Sequence, residues 1–146
     1  MEEIKTEKDM NELLKDISAK ASYGPLKADF EGGIIDIIGT NSYGEIYPDR
    51  VNYTLPVDEV KPYLRPMSSM TEEEKKELSE RYVWRISCRK IQIRYHSEGS
   101  WDDDTDCPTE EYLWLFDWLD KNRFDYRGFI EKGFALEAKE GMYGKI

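Results

Sequence analysis

At Gly24-Pro25 the hydrophobic period of the chain changes, and the change dictates which elements each side can form. Before it, Met10, Leu13, Leu14, Ile17 and Ala21 recur at helical spacing, while Glu2, Glu3, Glu7, Lys8, Glu12 and Lys15 fill the other positions. That pattern predicts an amphipathic helix stopped by the Gly-Pro pair. After it come short apolar runs separated by turn residues: 26–30, 34–38, 45–47 and 51–55, with turns expected at Gly32-Gly33 and Asn41-Ser42-Tyr43-Gly44. Runs of this length and spacing predict an antiparallel meander.

Three prolines, Pro56, Pro62 and Pro66, then hold the chain extended, and the reading is a strap crossing the surface. Thr71 followed by Glu74 makes a capping-box pattern that opens a short helix. Beyond it, Trp84, Ile86 and Cys88 share one parity and Ile91, Ile93 and Tyr95 share the other. One strand with a β-bulge near Arg89-Lys90 reconciles the two sets. Pro108, Glu110 and Glu111 suit the start of a second long helix reaching about Lys121, with Tyr112, Leu115, Phe116 and Leu119 facing the core. Trp114 and Trp118 lie one turn apart on its flank. A last short helix falls within 126–136, and 136–146 is expected to fray.

With 146 residues, the expected organisation is one domain, 1–146, in the α+β class: an antiparallel sheet of four to six strands packed against the two longer helices. No apolar run approaches the length of a membrane span, and Met1-Glu2-Glu3 lacks the basic and apolar regions of a signal peptide. The expected location is the cytoplasm. Cys88 and Cys107, without CxxC spacing, read as reduced thiols.

Charge is distributed unevenly. Between Ser97 and Asp120 stand nine acids (Glu98, Asp102, Asp103, Asp104, Asp106, Glu110, Glu111, Asp117 and Asp120), no Lys or Arg, and three of the four tryptophans. The rest of the chain nearly balances, 21 bases against 22 acids, within a net charge of −10. Such a charge repels phosphate backbones and anionic lipid, so direct nucleic-acid and membrane-surface binding are not expected. An acidic aromatic window instead predicts a docking surface for a basic protein. Its candidate residues are Trp101, Asp102, Asp103, Asp104, Asp106, Glu110, Trp114, Asp117 and Trp118, the rings as anchors and the acids as steering charges.

Other constellations carry less. Asp102, Asp104 and Asp106 occupy the first spacings of a calcium loop, but position 6 is Cys107 instead of Gly, position 7 is Pro108, and position 12 is Leu113 instead of the bidentate Glu. No metal and no cofactor are therefore expected. Cys88 or Cys107 with His96 and the acids could be drawn as a nucleophilic set, yet anionic surroundings raise a thiol pKa and weaken it. Arg85, Arg89, Lys90 and Arg94 form a basic stripe able to meet a phosphate or carboxylates, or simply to pair within the molecule. Walker A, GxGxxG, HExxH and GxSxG patterns do not occur.

Two stretches carry a resemblance. They are Lys61-Pro62-Tyr63-Leu64-Arg65-Pro66-Met67-Ser68-Ser69-Met70-Thr71-Glu72-Glu73-Glu74, and Trp118-Leu119 with Phe124-Asp125-Tyr126-Arg127-Gly128-Phe129-Ile130-Glu131-Lys132-Gly133, Ala135-Leu136-Glu137-Ala138 and Gly141-Met142-Tyr143. About a third of the chain thereby resembles an uncharacterised family of small acidic proteins from phages and mobile elements of gut anaerobic bacteria. Members often have His before the Phe-Asp-Tyr and Pro before the Glu-Gly-Met-Tyr, where this chain has Arg123 and Lys139. The resemblance implies a setting, a mobile element inside a bacterial cell, and no activity. The expected function is a non-enzymatic intracellular protein-binding module. The alternatives are a DNA-mimicking inhibitor of a nucleic-acid-binding protein and a hydrolytic or nucleophilic enzyme. Oligomeric state is left open.

Overall fold

The computed structural model describes residues 6–49, 52–80, 83–87, 90–94 and 110–143, with the backbone alone at 83–87, 90–94 and 110–113. Helix α1 (Glu7–Ala21) opens on a capping box in which the Thr6 hydroxyl accepts from Asp9 N–H and the Asp9 carboxylate accepts from Thr6 N–H. Its predicted stripe is its buried face: Leu13, Ile17 and Ala21 are inside, with Met10 and Leu14 packed against them.

The meander forms as read. Strands β1 (Leu26–Phe30), β2 (Gly33–Thr40), β3 (Glu45–Pro48) and β4 (Leu55–Pro56) pair antiparallel in sequence order. The first turn is Glu31-Gly32, one residue earlier than expected, with φ of 53° and 83°, while Gly33 already pairs with Phe30. Two consecutive positive φ values give the turn hand that matches the strand twist. In the second turn, the Asn41 side-chain oxygen accepts from the N–H groups of Tyr43 and Glu45. The last run is shorter than expected: pairing begins at Leu55, and Val51 lies outside the described residues.

The proline-rich segment is not a surface strap. Its second half is β5 (Lys61–Leu64), which pairs with β1 and lies inside the sheet, between β1 and the C-terminal strand at 136–137. Val60, Leu64 and Arg65 are fully buried. Proline suits a strand whose pairing is brief, and here β5 meets β1 at only two register positions, Ala28–Pro62 and Asp29–Lys61. The next position would join Lys27 to Tyr63. There the Tyr143 hydroxyl is inserted, accepting from Lys27 N–H at 2.9 Å and lying 2.8 Å from the Tyr63 carbonyl, to which it donates. The tail expected to fray is therefore fixed as far as Tyr143. It contains β8 (Leu136–Glu137), parallel to β5, and Ala138 N–H donates to the Leu64 carbonyl at 2.7 Å. Only 144–146 lie outside the described residues at that end.

Helix α2 (Glu72–Ser79) has both halves of the predicted Thr71/Glu74 capping box. The bulged strand expected after it is instead a hairpin of β6 (Val83–Ser87) and β7 (Lys90–Arg94), with Ser87 opposite Lys90, Ile86 opposite Ile91 and Trp84 opposite Ile93. The antiparallel pairing of 83–87 with 90–94 brings both apolar parities into cross-strand pairs, which accounts for the sequence pattern without a bulge. Helix α3 (Glu110–Lys121) and the short α4 (Phe129–Lys132) complete the chain. The result is an α+β architecture with a mixed six-stranded sheet, all its pairs antiparallel except β5–β8. One core joins α1 to the sheet through residues such as Leu13, Ile17, Leu26, Ile37 and Ile46. A second, of Met67, Met70, Leu78, Leu115, Trp118, Leu119 and Phe124, lies between α2 and α3.

Candidate interaction surface

Of the residues expected to form the docking surface, Trp101, Asp102, Asp103, Asp104 and Asp106 lie outside the described residues, and Glu110 is placed only as the first residue of α3. Trp118 does not lie on the surface. It is 6% exposed, stacked between Phe124 (5.7 Å between centroids) and Trp114 (6.3 Å), because the flank of α3 faces the core that α2 and Phe124 build. Trp114 is half-buried beside it, and Asp117 points outward. Burial, and the charge of Asp117, push the Tyr23 phenol above its ordinary pKa.

Asp120, counted with the acidic window, also points inward. Lys20 and Asp16, one turn apart on α1, meet it: Lys20 Nζ donates to Asp16 at 2.6 Å and to Asp120 at 3.0 Å, and none of the three is more than 5% exposed. The Tyr126 hydroxyl donates to Asp120 at 3.3 Å, and Arg127 reaches Glu12 at 2.6 Å and Asp16 at 3.4 Å. Desolvation raises the Asp16 carboxyl, with Lys20 opposing it most strongly. A parallel buried pair joins Arg65 to Glu74 through two bonds of 2.8 and 2.7 Å, with the guanidinium over the Phe124 ring. These clusters tie α1, α2 and β5 to the end of α3.

Much of the segment 123–133 serves the same end. Asp125 accepts from the N–H groups of Phe129 and Ile130 and so caps α4. Gly128 and Gly133 take φ of 79° and 81° at its two ends. Arg123 itself has φ of 63°, and its guanidinium bonds the carbonyls of Gly24 and Lys121 while lying over the Tyr143 ring.

The surface that is open lies elsewhere. The β1–β2 register sets Ile35 and Ile37 on the face covered by α1, and Ile34, Asp36 and Ile38 on the other. Nothing among the described residues covers that outer face: Ile34 and Ile38 are 50% and 52% exposed, and Tyr47 of β3 is 41% exposed. Strand alternation places Asp29, Asp36 and Glu45 on the same side. Its bases are Lys27, bridged to Asp36 at 2.7 Å, and Lys61. From Lys27 to Lys61 the chain carries seven acids and three bases, Lys27, Arg50 and Lys61. Hydrogen bonds from Asn41 and Thr54 hold the Glu45 carboxyl below its ordinary pKa, so it keeps its charge. The outer face is thus apolar and aromatic in its middle and anionic around it.

Sequence reasoning missed this face, although a signal was present. Ile34-Ile35-Asp36-Ile37-Ile38 puts isoleucine on both sides of one strand, the pattern of a sheet covered twice. Among the described residues only one cover, α1, lies on the sheet.

Cys88, Cys107 and His96 lie outside the described residues, as does Arg89. The hairpin register places Arg85, Lys90 and Arg94 on one side of the β6–β7 ladder. Among the described residues, no group of three or more His, Cys, Asp or Glu gathers where it could hold a metal ion, and no helix is long and apolar enough to cross a membrane. No protein-family model, no curated protein and no solved structure matches the chain.

Proposed function

We propose that this protein is a non-enzymatic binding module that docks a basic protein partner on the outer face of its meander. The observation that carries the reading is the row Ile34, Ile38 and Tyr47, exposed on a rigid sheet face and interleaved with Asp29, Asp36 and Glu45. Exposed isoleucine is expensive in water unless something covers it, and a covering surface must complement the acids around it. A mimic of DNA would space carboxylates without an apolar centre, so the isoleucines favour a protein-binding surface over a phosphate-like one. The window from Trp101 to Asp117 contributes long-range steering in this account. The resemblance noted above supplies a setting, a phage or mobile element in a bacterial cytoplasm.

The test uses an octapeptide of alternating Arg and Leu, labelled for fluorescence anisotropy. Binding should weaken steadily with added salt, because steering is screened over about 8–10 Å at physiological ionic strength. Ile38→Arg should weaken it at least tenfold, whereas Trp114→Ala should change it little. Absence of binding, or equal binding by the Ile38→Arg variant with its fold intact by circular dichroism, contradicts the proposal.

A further inference from the structure

The register of the meander shifts by one residue between Ile37 and Gly39: Ile37 pairs with Pro48, Gly39 with Tyr47 and Thr40 with Ile46. Residues 38 and 39 of β2 thus oppose the single Tyr47 of β3, which is a β-bulge. The extra residue decides which side chains share a face. Ile37 and Ile46 are fully buried in the core under α1, so Ile38, next to Ile37, and Tyr47, next to Ile46, belong to the outer face. Gly39 belongs there too, because cross-strand partners lie on one side of a sheet and its partner is Tyr47. Two exposed side chains, Ile38 and Tyr47, therefore flank a position on the docking face that carries none.

Among the described residues, nothing calls for glycine at that position. Its φ is not positive, so the bulge is not of the kind that needs a left-handed glycine. A Cβ on Gly39 would meet nothing within 4 Å, so no neighbour crowds a side chain out. Gly24, by contrast, has a φ of 135° and the Arg123 guanidinium 3.3 Å from where its Cβ would stand. A glycine inside a strand weakens it, and one that neither backbone nor packing requires marks a place where another molecule approaches closely. The Tyr47 ring does not fill the gap, and Asn41 Nδ2 donates to its hydroxyl at 3.3 Å from the neighbouring turn. We infer that Gly39 is a notch for a bulky apolar side chain, leucine or larger, presented by the basic partner, an inference that rests on the docking reading above. Ile38 and Tyr47 give that side chain apolar walls. Asp29, Asp36 and Glu45 around the face complement the basic residues that flank it in the partner.

The experiment compares the Arg-Leu octapeptide with an Arg-Ala octapeptide of equal charge, by anisotropy, against the full chain and the variants Gly39→Val and Ile38→Arg, with a thermal melt and sedimentation velocity of each protein. The inference predicts that the leucine peptide binds the native chain roughly tenfold tighter than the alanine peptide, the difference between burying the two side chains. Gly39→Val should fold with an unchanged or higher Tm, since valine suits a strand and has room there, yet should erase most of that preference by filling the notch. If Gly39→Val keeps the preference or binds more tightly, while Ile38→Arg weakens the leucine peptide, the docking face stands and the notch falls. A Gly39→Val Tm several degrees below that of the native chain would show that the fold itself needs the glycine, and would overturn the inference as well. If neither peptide binds, or Ile38→Arg has no effect, the docking reading fails and takes this inference with it. A native dimer that Ile38→Arg dissociates would assign the face to a second copy of the chain and overturn both.

Discussion

Replacing Lys20 by Met removes an ammonium that joins α1 to the end of α3. In the native protein its Nζ lies 2.6 Å from Asp16 and 3.0 Å from Asp120, with the lysine fully buried and the two acids 1% and 5% exposed. Methionine fills similar space, so the loss is electrostatic and not a cavity. Removing one partner of a buried pair costs about 3–5 kcal/mol, because the remaining charge has lost both water and its counterion. Here Arg127 stays 3.4 Å from Asp16 and the Tyr126 hydroxyl 3.3 Å from Asp120, which places the expected loss near the lower end, about 3 kcal/mol. At about 2.1 cal/mol/K per residue, the unfolding entropy of a chain this long is ~0.3 kcal/mol/K, so the Tm should fall by about 10 °C.

The loss should also depend on pH. Burial already raises the Asp16 carboxyl above its unfolded value, and Lys20 is the strongest influence pulling it back. Without Lys20 it rises further. A carboxyl raised on folding binds more protons folded than unfolded, so its contribution is fully favourable below the unfolded pKa and is lost as pH rises through the folded one. The variant's deficit should therefore be smaller at pH 5 than at pH 8. Urea unfolding of both proteins at pH 5, 6.5 and 8 measures it. A deficit below about 1 kcal/mol at every pH would mean the cluster is solvated in solution, and would refute the reasoning.

Two further perturbations probe other joints of the fold. Glu74→Gln removes the partner of the fully buried Arg65 and weakens the α2 capping box, and should cost about 3–5 kcal/mol by urea unfolding; a loss under 1 kcal/mol would contradict the burial of that pair. Tyr143→Phe leaves the ring but removes the hydroxyl that bridges Lys27 to Tyr63, with an expected cost of about 1–2 kcal/mol and faster amide exchange at Lys27; unchanged exchange there would show that the bridge is not made.

Much of the architecture was legible from local signals. The α1 stripe, the Thr71/Glu74 box and the limits of β1 are read from a few neighbouring residues each, and each forms where its residues predict. What failed was long-range. Nothing local says that the proline-rich segment pairs with β1, or that Tyr143 reaches Lys27 across 116 residues. Parity alone does not distinguish a bulge from a reversal, which is why Trp84 to Tyr95 reads as one bulged strand. Trp118 shows the limit of a helical wheel: the wheel places it on a flank, and only the packing of α2 and Phe124 makes that flank interior. The outer meander face was overlooked because a charge count over the whole chain hides a local excess. The acids from Asp29 to Glu59 are offset in that count by bases that lie elsewhere in the sequence.

The docking of a basic partner on the meander is tested most directly by amide NMR of the full chain titrated with the Arg-Leu octapeptide. The account predicts saturable shifts at Asp29, Ile34, Asp36, Ile38 and Tyr47, with little change along α3. Shifts confined to α3 around Trp114 and Asp117, with the β2 and β3 amides unmoved, would contradict it.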